Sequence, residues 1–167
     1  MDGDSRIDRV QVPIRVPDKT REDFFGEDEQ SSMTNLRIWI IVSWIALPTV
    51  MFGGASLLRL LNRGNVLSPF QVNCFRAGHA HAGVLLVMSL PYYIFLDQTG
   101  LSVLVKHVAS AALFLGILAQ SGGFFVHMWV GRENRASEGT TTTFAGAGLL
   151  ASSVVVLVYG LLMESGS

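Results

Sequence analysis

The sequence predicts an all-α integral membrane fold, an antiparallel bundle of four transmembrane helices behind a disordered N-terminal tail. Three observations predict it. Half of the 167 residues are apolar and mean hydropathy is +0.43, too greasy for an ordinary soluble domain, whose surface must be diluted with polar groups. Four apolar stretches of roughly 20 residues or more, the length that about 30 Å of hydrocarbon requires, are separated by short polar connections. The acids cluster: residues 1–35 hold nine of them (Asp2, Asp4, Asp8, Asp18, Glu22, Asp23, Glu27, Asp28, Glu29) against five bases, although the chain as a whole carries 12 bases and 13 acids.

The elements follow in order. Residues 1–35 show few large apolar side chains and no period, so ordering them would cost more entropy than burial returns, and we expect an acidic, mostly disordered tail. Val10, Val12, Ile14 and Val16 alternate with polar residues as a short extended segment would, and Phe24-Phe25 is a candidate contact with a partner or with the membrane surface. A secretory signal requires an apolar core directly after a charged start, and the sequence shows none there. The first span covers 36–58, with Trp39 and Trp44 at its entrance, Pro48 in its middle and Gly53-Gly54-Ala55-Ser56 offering a close helix contact near its exit. Arg59 and Arg63 mark a water boundary, and Gly64, Asn65, Ser68 and Pro69 make the connection over 62–71. The second span covers 77–96, with Pro91 ahead of an interfacial Tyr92-Tyr93 pair. The third covers 103–130, capped by Ser102. Thr140 to Thr143 offer caps for the fourth, 144–163, where Gly146, Gly148 and Ala151 form a packing face of small residues. Short connections leave sequence neighbours as spatial neighbours, hence an antiparallel bundle.

The chemistry-bearing residues gather at one end. His79 lies 18 residues before Asp97, and His127 lies 20 residues after His107 on the next span, so the two imidazoles are expected to face each other at similar depth. Each has a glycine four residues deeper, Gly83 and Gly123, on the same helix face, which leaves room for something flat between helices. His81 points about 200° around the helix from His79 and must serve another role, whether a hydrogen bond to a neighbouring helix, a second centre or an interfacial place. Arg59, Arg63, Arg76, Arg132 and Arg135 collect at the same end and would welcome anionic groups. His107, beside Lys106, reads as an ordinary interfacial residue. Cys74 is alone, so neither a disulfide framework nor a zinc ribbon is available, and no basic stripe with interleaved aromatics suggests nucleic acid.

Arg76-x-x-His79, followed by an apolar helix with Tyr92-Tyr93, resembles the second helix of the catalytic subunit in the haem-copper oxidase and nitric oxide reductase superfamily. The equivalent histidine there ligates a low-spin haem. Ser56-Leu-Leu-Arg59 and the turn before Arg76 are similar to the end of that family's first helix, whereas Ala80-His81-Ala82 with Pro91 matches the oxidase branch and would make His81 the ligand. The resemblance covers about two helices in four. The family spans the membrane many more times, and its later copper-site histidine cluster has no counterpart here, so the resemblance implies a small haem-binding relative and not a complete enzyme.

The expectation is a b-type haem between the second and third spans, with His79 or His81 and His127 as axial ligands and Arg76, Arg132 or Arg135 pairing with propionates, serving electron transfer or sensing in a respiratory assembly. A copper or zinc site using His79 or His81, His127 and Cys74 is the second expectation, and a cofactor-free accessory or assembly subunit the third. Expected partners are the lipid bilayer and a membrane protein or a second copy, with the amino terminus on the cytoplasmic side.

Overall fold

Residues 19–64 and 66–165 are described by a computed structural model, with side chains from Leu36 onward. Four helices carry them: α1 Lys19–Asn62, α2 Pro69–Gln98, α3 Val103–Val130 and α4 Glu138–Ser165. All four contain a segment long and apolar enough to cross a membrane, which in α1 is Leu36–Asn62.

The helix boundaries show what local chemistry does. α1 begins at Lys19 rather than at 36. Residues 19–35 contain no proline and a single glycine, and extending an existing helix avoids the cost of nucleating one. The expected disorder of residues 1–18 lies outside the described residues. α2 starts at Pro69 rather than 77, because Ser68 and Gln71 form a capping box: Ser68 Oγ accepts from Gln71 N (3.3 Å) and Gln71 Oε1 accepts from Ser68 N (3.0 Å). Proline at the first helical position needs no N–H partner. α3 matches its expected bounds, although the Ser102 side chain makes no capping bond. α4 starts six residues early, at Glu138 rather than 144, since Ser137 supplies the cap: its Oγ accepts from Gly139 N (3.2 Å), while its own N–H donates to Thr140 Oγ1 (3.2 Å). Thr140–Thr143 therefore lie inside the helix. Pro48 and Pro91 both sit within continuous helices.

Packing is uneven. α3 and α4 approach closely through glycine: a Cβ on Gly116 would stand 3.0 Å from Gly146 O, and one on Gly123 would stand 2.6 Å from Gly139 O. In a membrane, where no water drives helices together, such backbone approach would be a main source of attraction. Gly146 serves this contact as expected, whereas Gly148 faces open space and Ala151 is exposed. The buried core comprises Leu36, Leu86, Tyr92, Tyr93, Leu96, Ala109, Leu113 and Ile117. Tyr92 and Tyr93, expected at an interface, are 6% and 0% exposed. Tyr92 Oη donates to Ser153 O across to α4 (3.0 Å), and Tyr93 sits beside Ser43 and Ser89, which bond each other between α1 and α2 (3.1 Å). Between its polar ends the outer surface is largely apolar, with Met51, Phe52, Leu104, Trp129 and Phe144 all more than two-thirds exposed, far more than a water-facing surface carries.

Candidate functional site: a histidine groove between α1 and α2

The helical faces decide where each imidazole goes. On α1, Leu36, Ser43, Val50 and Leu57 recur every seven residues and turn inward, with Gly53 and Gly54 on the same side one turn from Val50. On α2, His79 shares such a stripe with Leu86 and Tyr93. His79 therefore meets α1 and not α3. A Cβ on Gly54 would stand 2.9 Å from His79 Nε2, and one on Gly53 would stand 3.5 Å from its Nδ1. The imidazole is half-buried and has no hydrogen-bond partner among the described residues. Phe75, one turn earlier, is its aromatic neighbour at 6.4 Å between ring centroids.

From His79 a groove of about 430 Å³ runs along the α1–α2 seam, lined by Leu47, Val50 and Met51 on one side and by Gly83, Val84, Val87 and Met88 on the other. Gly83 leaves its wall bare: a Cβ there would stand 3.7 Å from Val50 Cγ1. This volume falls within the range of small-ligand and cofactor sites. Its polar contribution is a single imidazole at one end, with the thioethers of Met51 and Met88 further along.

His127 stands elsewhere. Its Nδ1 lies 2.6 Å from Ser137 Oγ at the start of α4, its ring meets Phe70 edge-on at 5.3 Å, and its backbone N–H lies against Gly139. The expected pairing of His79 with His127 is thus corrected on two counts. The rings face different helices, and their depths differ: His79 stands nineteen residues from the end of α2 at Gln98, while His127 stands twenty-four from the start of α3 at Val103. Five residues are roughly 7 Å of helix at about 1.5 Å each. Counting from His107, already one turn inside α3, concealed that offset.

The expected room beside Gly123 is likewise occupied, since α4 fills it through Gly139 and Thr143. His81 takes the face that His79 leaves. Its Nδ1 is 2.8 Å from Ala77 O, so it donates there and Nε2 keeps the lone pair. Its ring packs against Phe124 of α3 at 5.0 Å, above the close approach of Gly78 to Ser121 O, where an added Cβ would come to 3.0 Å.

The arginines Arg59, Arg63, Arg76, Arg132 and Arg135 are all exposed, at the end that carries the α1–α2 and α3–α4 connections. Arg76, three residues before His79, is one turn nearer that end. Among the described residues no three His, Cys, Asp or Glu side chains converge as a metal site would require.

Two polar contacts at the other end were not expected from the sequence. Trp39 Nε1 donates to His107 Nδ1 (3.3 Å), joining α1 to α3, so His107 is more than an interfacial residue. Lys106 is 6% exposed and Nζ donates to Asp97 O (2.8 Å), which satisfies a carbonyl that the end of α2 leaves unpaired. The inward stripe of α1 signals the first contact, because Trp39 lies one turn from both Leu36 and Ser43. Nothing in the sequence signals the second.

Neither family models, curated proteins nor solved structures match this chain.

Proposed function

We propose that this is a multi-pass membrane protein of four antiparallel spans that holds b-type haem in the α1–α2 groove, with His79 as the axial ligand supplied by this chain. One observation carries the reading. An imidazole without a hydrogen-bond partner among the described residues, seated against Gly53 and Gly54, stands at the head of an apolar groove whose wall Gly83 leaves bare. Polar side chains at membrane depth are costly and mark functional sites by default, and a lone unpaired imidazole is a ligand in want of an acceptor. The donor set suits iron in a porphyrin better than zinc or copper. Imidazole with a thioether is a recognised haem pair, and Met51 or Met88 lies in the same groove, whereas a zinc site asks for three or four N, S or O ligands from the protein.

Bound there, haem would supply one-electron chemistry, for transfer or for sensing within a membrane assembly. The chain's own residues would do the holding. His79 would provide the lone pair, Gly83 the space, Leu47, Val50 and Val87 an apolar wall that excludes water, and Arg76 a guanidinium one turn nearer the polar end for a carboxylate. His127 takes no part in this arrangement. The groove opens outward, so a partner subunit or a second copy is a natural cover. We place the amino terminus on the cytoplasmic side, because an acidic hydrophilic segment is most simply left untranslocated. The five arginines at the opposite end argue the other way.

One observation favours a second reading. His79 Nε2 lies close enough to Gly54 for the ring to act as a knob in a glycine notch, which is how a cofactor-free accessory subunit would pack α1 on α2. Haem content separates the two. Protein purified from cells with ample haem, or titrated with haemin, should show a Soret band at close to one haem per chain. A preparation that neither carries haem nor takes it up contradicts the haem reading and leaves the knob.

A further inference from the structure

The α3–α4 connection carries a second candidate site, independent of haem. Residues 132–135 form a tight turn in which Arg132 and Arg135 are antiparallel bridge partners, closed by Arg135 N donating to Arg132 O (3.2 Å) with Asn134 at φ 59°. Asparagine tolerates this left-handed conformation better than most residues. Bridge partners direct their side chains to the same face of a ribbon, so the turn sets two guanidinium groups side by side. Like charges placed opposite each other destabilise a bridge. Both arginines are exposed, and neither forms an ion pair among the described residues. Immediately before the turn, Trp129 is 78% and Val130 61% exposed, an arrangement suited to the level where hydrocarbon gives way to headgroups.

We propose that the Arg132–Arg135 turn binds the phosphate of an anionic phospholipid headgroup, with the acyl chains running down the exposed face beside Trp129. Two adjacent planar forks match phosphate oxygens bidentately, and the anion removes the repulsion that the turn otherwise builds in. Lipid is favoured over a soluble phosphate because the turn caps an apolar helix whose last residues are bare. The Glu133 and Glu138 carboxylates, on the turn and in the first turn of α4, oppose an anion there, so the acyl chains have to contribute to binding.

The test is native mass spectrometry of the full chain released from nanodiscs containing equal phosphatidylglycerol and phosphatidylcholine. Wild-type protein should retain phosphatidylglycerol selectively. Arg132→Gln with Arg135→Gln should lower that selectivity by about fivefold per arginine, and Arg132→Lys with Arg135→Lys should fall between wild type and the Gln variant, since the ammonium groups keep the charge and lose the bidentate fork. A Gln variant that fails to insert is replaced by Arg135→Gln alone, with insertion checked by helical circular dichroism. Equal retention of both lipids by wild type, or undiminished selectivity in the Gln variants, overturns the proposal. Displacement of the lipid by about 10 mM inorganic phosphate also overturns it, since that would show a simple anion site.

Discussion

His79 and His127 carry the same side chain at the same end of the molecule, and their surroundings give them opposite roles. His127 Nδ1 is engaged by Ser137 Oγ, and its backbone is pressed against Gly139, so it serves to hold the α3–α4 connection. Replacing Ser137 with Ala removes both that contact and the helix cap, which should lower stability by about 1–2 kcal/mol, read as an earlier unfolding midpoint in a detergent titration, with haem content unchanged. His79 is seated against Gly53 and Gly54 at the head of the groove. Which imidazole faced which helix was misread: His79 was expected opposite His127, and its seven-residue stripe with Leu86 and Tyr93 pointed inward only once Tyr93 proved buried rather than interfacial. What the sequence withheld was Ser137 as the true start of α4, because four consecutive threonines offered a more conspicuous cap. It also withheld the tight α3–α4 approach at Gly123, since a glycine reads equally as a space for a ligand and as a space for another backbone.

At the scale of elements, α3 and α4 form the tight pair, and α1 is the loosely held one. Only 6% of its most apolar stretch is buried, against 22–33% for the other three helices. Bulk should therefore be resisted at the α3–α4 seam and accepted where a glycine faces open space. Gly123→Leu and Gly146→Leu should each destabilise by about 1–3 kcal/mol or more, the cost of overpacking against backbone. Gly148→Leu, which meets nothing within 4 Å, should be neutral. Equal sensitivity at all three positions would contradict the seam. α1 is held by discrete contacts: Trp39 on His107, Ser43 on Ser89 and the glycine notch on His79. Trp39→Phe should therefore speed crosslinking or proteolysis of α1 without altering α3–α4. The four helices were legible as apolar stretches. Their true ends were not, because polar residues such as Gln71, Arg76 and Glu138 prolong helices beyond the apolar run, as caps and solvated first turns permit.

For the whole molecule, the proposed four spans would place both termini on one side of the bilayer. With Cys74→Ser to remove the buried native thiol, Ser5→Cys and Gly166→Cys should react with an impermeant maleimide from the same side of sealed vesicles. Reaction from opposite sides would remove the four-span arrangement. Labelling also settles which leaflet the arginine-rich end faces. The central claim, that His79 is the ligand in an α1–α2 groove, is tested most directly by comparing absorption spectra of matched His79→Ala and His127→Ala proteins, oxidised and reduced. The account predicts that His79→Ala loses the Soret and α/β bands while His127→Ala keeps them. Bands that survive His79→Ala and vanish with His127→Ala would contradict it and move the site to the α3–α4 end.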